Sequence, residues 1–96
     1  MPLRLFRVTG HSMCPYLNDG DYVVTRRCTA DALREGDVIA VAHQRLGPII
    51  KRIAAIQAGH TLQLAGDNSA ASTASECIGA VPGASVLGRV VWRIRR

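Results

Sequence analysis

The stretch VIAVAHQRLGPIIKRIAAIQAGHTLQLA, residues 38–65, decides the fold of this 96-residue chain. It opens with a continuous apolar run, Val38–Ala42, and a Gly-Pro pair then leads into a second apolar run, Ile49–Ile56. A tight connection at Ala58-Gly59 joins the second run to Thr61–Ala65. Short apolar runs separated by turn residues are typical of strands. The last two runs are therefore expected to form a β-hairpin.

The flanking sequence predicts more strands and almost no helix. Leu3–Val8 alternates apolar and basic residues, Tyr22–Thr25 is β-branched, and Val86–Ile94 reads as a closing strand with a bulge at Gly88. Thr29–Glu35 has room for one helical turn capped by Thr29. Closely spaced strands with Gly-Asp turns predict an all-β fold, either a small coiled sheet or a partly closed barrel.

Length and composition indicate one small globular domain, residues 1–96, because the chain is too short for two cores and 48% of it is hydrophobic. The net charge of +5 is compatible with nucleic acid, an acidic membrane surface or simple solubility. Only 4% of the residues are aromatic, so interleaved rings for base stacking are missing and nucleic acid is not the expected partner.

The three cysteines, Cys14, Cys28 and Cys77, are odd in number and widely spaced. That pattern argues against a disulfide framework or a structural zinc site and favours a reducing compartment. The chain has no apolar run of membrane-spanning length, and arginines interrupt its first ten residues where a signal peptide would be apolar. We therefore expect a soluble, cytoplasmic protein.

Of the 12 basic side chains only one is a lysine, Lys51, and it lies between Ile49-Ile50 and Ile53. Arginine keeps its proton in any protein environment, whereas a desolvated lysine can lose one and act as a base near neutral pH. The alternative is that arginine-rich codon usage left one lysine, whose head group points to solvent. The sequence leaves both interpretations open.

The candidate nucleophiles are Ser12, Ser72, Ser75, Cys14 and several threonines. Ser12 stands out because it follows the first predicted strand and precedes Pro15, where a chain reversal would present its hydroxyl. His11 is a poor base for Ser12, because adjacent strand residues point to opposite faces. His11 and Cys14 have the spacing of a metal-binding pair, but no second pair accompanies them and no metal site is predicted.

Several short motifs follow one another along the chain, and their order and spacing carry the information. They are Ser12-Met13-x-Pro15-x-Leu17, Gly20-Asp21, Gly36-Asp37-Val38, Lys51-Arg52-Ile53, Gly66-Asp67-Asn68 followed by Ser72, Gly79-x-Val81 and Leu87-Gly88-Arg89-Val90-Val91. In this order and spacing they resemble the serine–lysine peptidases of the type I signal peptidase and LexA-type clan. The resemblance runs from about Val8 to Val91 and implies a minimal signal-peptidase-like catalytic domain.

The resemblance also implies roles for individual residues. Ser12 would be the nucleophile, Lys51 the general base, and Ser72 a hydroxyl that orients the Lys51 amine. No cofactor or metal is implied. Four further residues would shape or support the site: Met13 in the substrate cleft, Gly10 beside an oxyanion hole formed by the Ser12 N–H, and Asp67 and Asn68 as supports of the lysine.

Three positions depart from the family pattern. The last motif usually continues Ser-x-Asp-Ser-Arg, whereas this chain has Ala74 and Glu76 in place of the Asp and Arg. The loss removes an expected ion pair beside the site and bears on rate and loop order more than on the dyad. Tyr16, where threonine is usual, is a milder change.

The short form ending in a Gly-Arg-Val-Val strand is most similar to the maturation proteases of nickel-type superoxide dismutase. The predicted function is a serine endopeptidase that removes an N-terminal leader or propeptide from a protein bound in extended form. The alternative is a catalytically impaired peptide-binding module of the same fold. Nucleic acid is not expected as a partner, peripheral membrane contact stays open, and the sequence does not predict the oligomeric state.

Overall fold

The structure is a computed structural model that describes residues 2–68 and 80–95. The predicted role of Ser72 and the departures at Ala74 and Glu76 fall outside these residues. Within the described ranges the helical content is limited to two three-residue 3-10 turns, so no helix there has the length to cross a bilayer.

In the described part of the chain, seven strands form one antiparallel sheet that does not close into a barrel. The strands are β1 (Leu3–Arg7), β2 (Tyr22–Arg26), β3 (Val38–His43), β4 (Gly47–Gln57), β5 (Thr61–Ala65), β6 (Val81–Pro82) and β7 (Val86–Ile94). Their spatial order is β1-β2-β7-β3-β4-β5-β6, so the last strand lies near the middle of the sheet. The all-β prediction is confirmed.

Two apolar clusters stabilise the sheet, because alternate side chains of the central strands face opposite sides. One cluster is centred on Ile39, Val41 and Ile53, and the other contains Val23, Val38 and the segment between β1 and β2. Each of these five named residues is at most 5% exposed. The second cluster fixes the β1–β2 connection against the sheet, and that connection carries Ser12.

Two local predictions need correction, and one short strand was not predicted. Gly47-Pro48 was expected to be a turn but belongs to β4. The N–H and C=O of Ile53 bond to the β3 side of β4. Because the backbone groups of successive strand residues point to alternate sides, the ring nitrogen of Pro48 points away from β3. The N–H that proline lacks therefore removes no hydrogen bond between β3 and β4. Val81–Pro82 forms a two-residue strand against β5. The turn after Thr29 is a 3-10 turn, Ala30–Ala32, and Thr29 makes no side-chain capping bond.

Gly88 lies where two strands approach closely. The register of β7 against β3 shifts between the partners of Ala40 and Val41, beside Gly88, which agrees with the predicted bulge. A Cβ atom at Gly88 would lie 2.9 Å from the Cβ of Thr25 on β2. Thr25 is 1% exposed and has no room to withdraw.

We expect Gly88→Ala to lower the free energy of unfolding by about 1–3 kcal/mol, because the added methyl group overpacks a filled site. Urea denaturation of the two proteins measures the difference. An unchanged midpoint would show that β2 and β7 separate more easily than this packing implies.

Candidate active site

The segment between β1 and β2 holds Ser12 in a hydrogen-bonded turn. The Val8 N–H donates to Asp21 O at 2.7 Å and the Gly20 N–H donates to Val8 O at 2.8 Å, which closes the base of the segment. At its start Gly10 has φ +82° and donates its N–H to Asp19 Oδ1 at 2.8 Å. A left-handed φ of this kind favours glycine. The turn leaves Ser12 half-buried.

Lys51 is buried, which excludes the interpretation that its head group points to solvent. It pairs with Ile39 across β3 and β4 and shares a face of the sheet with Ile39 and Ile53. The residue is 4% exposed. Burial lowers the pKa of Lys51 below its ordinary value, because desolvation disfavours the ammonium form.

Ser12 and Lys51 line the same cleft, which has a volume of about 270 Å³. One wall is the end of β1 and the turn after it, and the other wall is the first half of β4 with the residue before it. The lining residues are Arg7, Val8, Thr9, Gly10, His11, Ser12, Met13, Leu46, Pro48, Ile49, Ile50 and Lys51. The described lining residues include no carboxylate, and desolvation is the cause of the lowered pKa of Lys51.

Both walls of the cleft have open strand edges within the described chain. β1 is the outermost strand, and only its β2 side is paired. On β4 the pairing with β5 begins at Arg52, so Gly47–Lys51 pair with β3 alone. The backbone groups of Ile53 bond to the β3 side, and backbone groups point to alternate sides along a strand. The N–H and C=O of Ile50 therefore point toward the open edge. The cleft therefore lies between two backbone edges that can each accept a strand.

A charged cluster lies beside the cleft, on the opposite face of β4 from Lys51. Arg52 donates from Nε and Nη2 to the two carboxylate oxygens of Asp67, both at 2.8 Å. The hydrogen bonds from Arg52 lower the pKa of Asp67 below its ordinary value. The Tyr16 ring lies 5.0 Å from the Arg52 guanidinium and 4.8 Å from that of Arg93 on β7. Tyr16 is thus held between two cations, a contact that the sequence analysis missed.

Asn68, next to Asp67, connects this cluster to the Ser12 turn. Its N–H donates to Ser12 O at 2.8 Å and its side-chain amide donates to His11 O at 3.1 Å. Asp67 therefore holds the residue that follows Lys51, while Asn68 holds the backbone of Ser12. The two predicted supports bridge both halves of the site.

Met13 and Gly10, the other predicted site residues, both line the cleft. Met13 lines the cleft and is 1% exposed, so it forms part of the cleft floor and of the core. Gly10 also lines the cleft, but its N–H is bonded to Asp19. Within residues 2–68 and 80–95, no group of three or more His, Cys, Asp and Glu side chains is arranged to hold a metal ion.

Comparison with known families agrees with this geometry. The sequence profile of the Peptidase S24-like family matches residues 2–91. The match includes every described strand from β1 to β6 and most of β7. The chain therefore belongs to the Peptidase S24-like family, which supports a peptidase-type function. No curated protein matches the chain.

We expect Lys51→Met to stabilise the protein at neutral pH by about 1 kcal/mol or more, as when other buried ionic groups are replaced by apolar ones of similar volume. The lysine pKa is lower in the folded state than in the unfolded state. The unfolded chain therefore binds more protons, and the stability of the natural protein rises with pH up to about 10.4.

The test is urea unfolding of both proteins from pH 7 to pH 11. The advantage of Lys51→Met should shrink across the upper part of this range and vanish above the unfolded lysine pKa. A difference that is the same at every pH would mean that the Lys51 amine is as well solvated in the folded protein as in the unfolded chain.

Asp67→Asn should lower the free energy of unfolding by roughly 0.5–1 kcal/mol, the upper range for a partly exposed ion pair. Because the pKa of Asp67 is lowered in the folded state, this contribution is present above the unfolded pKa and disappears as pH falls through the folded one. Thermal unfolding at pH 7 and pH 3 measures both. Asp31→Asn is the matched control, since its pairing with His60 involves an 84% exposed carboxylate side chain; an equal loss there would remove the special role of Asp67.

Proposed function

We propose that the protein is a serine endopeptidase in which Ser12 is the nucleophile and Lys51 the general base. The observation that carries this proposal is the burial of the Lys51 amine, with its lowered pKa, in the wall of the cleft that Ser12 also lines. A neutral amine accepts a proton, and an ammonium group does not. Desolvation thus supplies the property that general-base catalysis needs.

In the proposed reaction the Ser12 Oγ attacks the scissile carbonyl while Lys51 Nζ takes the hydroxyl proton. The proton passes to the leaving amine as the C–N bond breaks, which leaves an acyl group on Ser12. Lys51, neutral again, takes a proton from the water that attacks this ester. It passes that proton to the Ser12 Oγ as the ester C–O bond breaks, which releases the carboxylic acid product and restores the Ser12 hydroxyl. The Ser12 N–H would stabilise the oxyanion, since the Gly10 N–H is engaged by Asp19. Ser72 stays a prediction as the hydroxyl that orients the amine.

The substrate is proposed to bind as an extended strand between the open edges of β1 and β4. Main-chain groups of Ile50 on one wall and of the β1 edge on the other would bond the peptide backbone. Met13, Leu46 and Pro48 make the side-chain positions of the cleft apolar. This mode fixes the scissile bond beside Ser12 with few sequence-specific contacts.

We further propose that the natural substrate is the N-terminal leader or propeptide of another protein. The support is the resemblance of the motifs, including the Gly-Arg-Val-Val strand, to the maturation proteases of nickel-type superoxide dismutase. A folded protein presents such a leader as an extended, unpaired segment, which suits a cleft built from two strand edges.

Cleavage of a peptide library should depend on both residues of the dyad. We expect Ser12→Ala and Lys51→Arg each to lower the cleavage rate by at least about a thousandfold, as loss of a nucleophile or its base does elsewhere. Ser85→Ala, a half-buried serine near β7, is the matched control and should keep full activity. Mass spectrometry after reaction with a fluorophosphonate or β-lactam-type probe should show one adduct, absent from Ser12→Ala.

The rate should rise with pH through the folded pKa of Lys51 and then level off, because only the neutral amine is active. Cleavage that persists in both Ser12→Ala and Lys51→Arg would refute the proposal. If the intact protein binds library peptides in the cleft but cleaves none and takes up neither probe, it is the peptide-binding module instead. The family departures at Ala74 and Glu76 favour that second function.

A further inference from the structure

The ionisable groups in the cleft wall are all nitrogen bases among the described residues. They are Arg7, His11 and Lys51, and no carboxylate accompanies them. Arg7 is the last residue of β1 and is exposed. Arginine keeps its proton in any protein environment, whereas the Lys51 amine is neutral when it acts as the proposed base. Arg7 is therefore the permanent cation of the described cleft wall.

The strand register places Arg7 on the same face of the sheet as Lys51. Directly paired residues share a face, and a continuous row of pairs crosses the sheet from β4 to β1. The row consists of Lys51, Ile39, Arg89, Arg26 and Leu3. Because side chains alternate along a strand, Arg7 lies on the face of Leu3. The strand, and not a loop, therefore sets the position of this cation.

Arg7 differs from the arginines that have a structural partner. Arg52 is bonded to Asp67, and Arg89 Nη1 lies 3.7 Å from a carboxylate oxygen of Asp37. Among residues 2–68 and 80–95, Arg7 takes part in no ion pair and no side-chain hydrogen bond. Its guanidinium group is thus available to a carboxylate that arrives with a ligand, and paired N–H donors suit that group well.

We propose that Arg7 determines specificity by binding an aspartate or glutamate side chain of the substrate. This inference rests on the proposed function, in which the peptide binds as a strand at the open edges of β1 and β4. A strand added to β1 would place one of its side chains directly beside Arg7 and on the same face. The substrate class is therefore an extended peptide with an acidic residue within the length of the cleft.

A charge on an open strand edge has a second use, because it opposes pairing of that edge with another chain. Arg4 is also on β1 and meets this need equally well. It lies on the opposite face of the strand, with its guanidinium 5.0 Å from the centre of the Phe6 ring, and it is not among the cleft-lining residues. The two arginines therefore allow edge protection and substrate selection to be tested separately.

The test uses the full-length protein and a library peptide that it cleaves or binds, changed to Asp, Asn or Lys at each position near the scissile bond in turn. At one position we expect kcat/KM to be roughly tenfold higher with Asp than with Lys, because a partly exposed attraction replaces a repulsion. The Asn peptide should be intermediate. Raising the salt to about 0.5 M should reduce the difference, since it screens exposed charges.

Variants of the two arginines assign the preference to one side chain. Arg7→Glu should reverse it, so that the Lys peptide becomes the better substrate, and Arg7→Gln should abolish it. Arg4→Glu is the matched control, because it makes the same change of charge on the same strand, and it should keep the preference for Asp. Circular dichroism checks that the three variants are folded.

Binding separates this inference from the proposed catalysis. Fluorescence anisotropy gives the Kd of the same peptides, labelled, for Ser12→Ala, which lacks the proposed nucleophile. Tighter binding of the Asp peptide without cleavage by the natural protein would support the role of Arg7 and refute the peptidase. Equal kcat/KM and equal Kd for Asp, Asn and Lys at every position would overturn the inference and leave Ser12-dependent cleavage intact. An equal loss of preference in Arg4→Glu and Arg7→Glu would also overturn it, because net charge would then be the cause.

Discussion

The removal of one amine from water is the constraint on which the rest of the site depends. Lys51 occupies a strand position that an aliphatic residue would fill at lower cost, between the positions of Ile49 and Ile53. The two apolar clusters hold β4 in place and so force the side chain to remain there. Burial of this amine costs local stability and lowers its pKa. The same burial gives the only lysine of the chain a property that no arginine could have.

The charged cluster holds the Ser12 turn next to the strand that carries Lys51. In the proposed mechanism a hydroxyl and an amine on separate elements need a rigid connection, since an error of about 1 Å is enough to weaken proton transfer. Asp67 and Asn68 provide it from one loop, Asp67 through Arg52 on β4 and Asn68 through the backbone of Ser12. Tyr16, between the cations of Arg52 and Arg93, ties the end of the Ser12 turn to β7. The site is therefore braced from two strands, β4 and β7, and from the loop after β5.

The sequence allowed the strands to be predicted for physical reasons. The Ser12–Lys51 dyad was expected from the family resemblance and stays a prediction, although both residues line one cleft. β-branched and apolar runs bounded by Gly, Pro and Asp have strong local preferences, and Thr61–Ala65 and Val86–Ile94 match the observed strands residue for residue. Pro48 was misassigned because its tolerance depends on an unpaired edge, which is a tertiary property. The two-residue β6 has no local signal at all. The stacking of Tyr16 depends on how β4 and β7 lie relative to the Ser12 turn, and no spacing in the sequence encodes that distance.

The central position of β7 has a consequence for how the molecule is made. The β1–β2 hairpin and the β3-to-β6 meander have no strand pairing with each other among the described residues, and β7 joins both. During synthesis each half leaves the ribosome with an unpaired strand edge. The two halves can join only after β7, Val86–Ile94, has also left the ribosome. Assembly is thus dominated by contacts distant in sequence, which slows it. A nascent chain would therefore contain Ser12 and Lys51 well before the two walls of the cleft that they line are brought together.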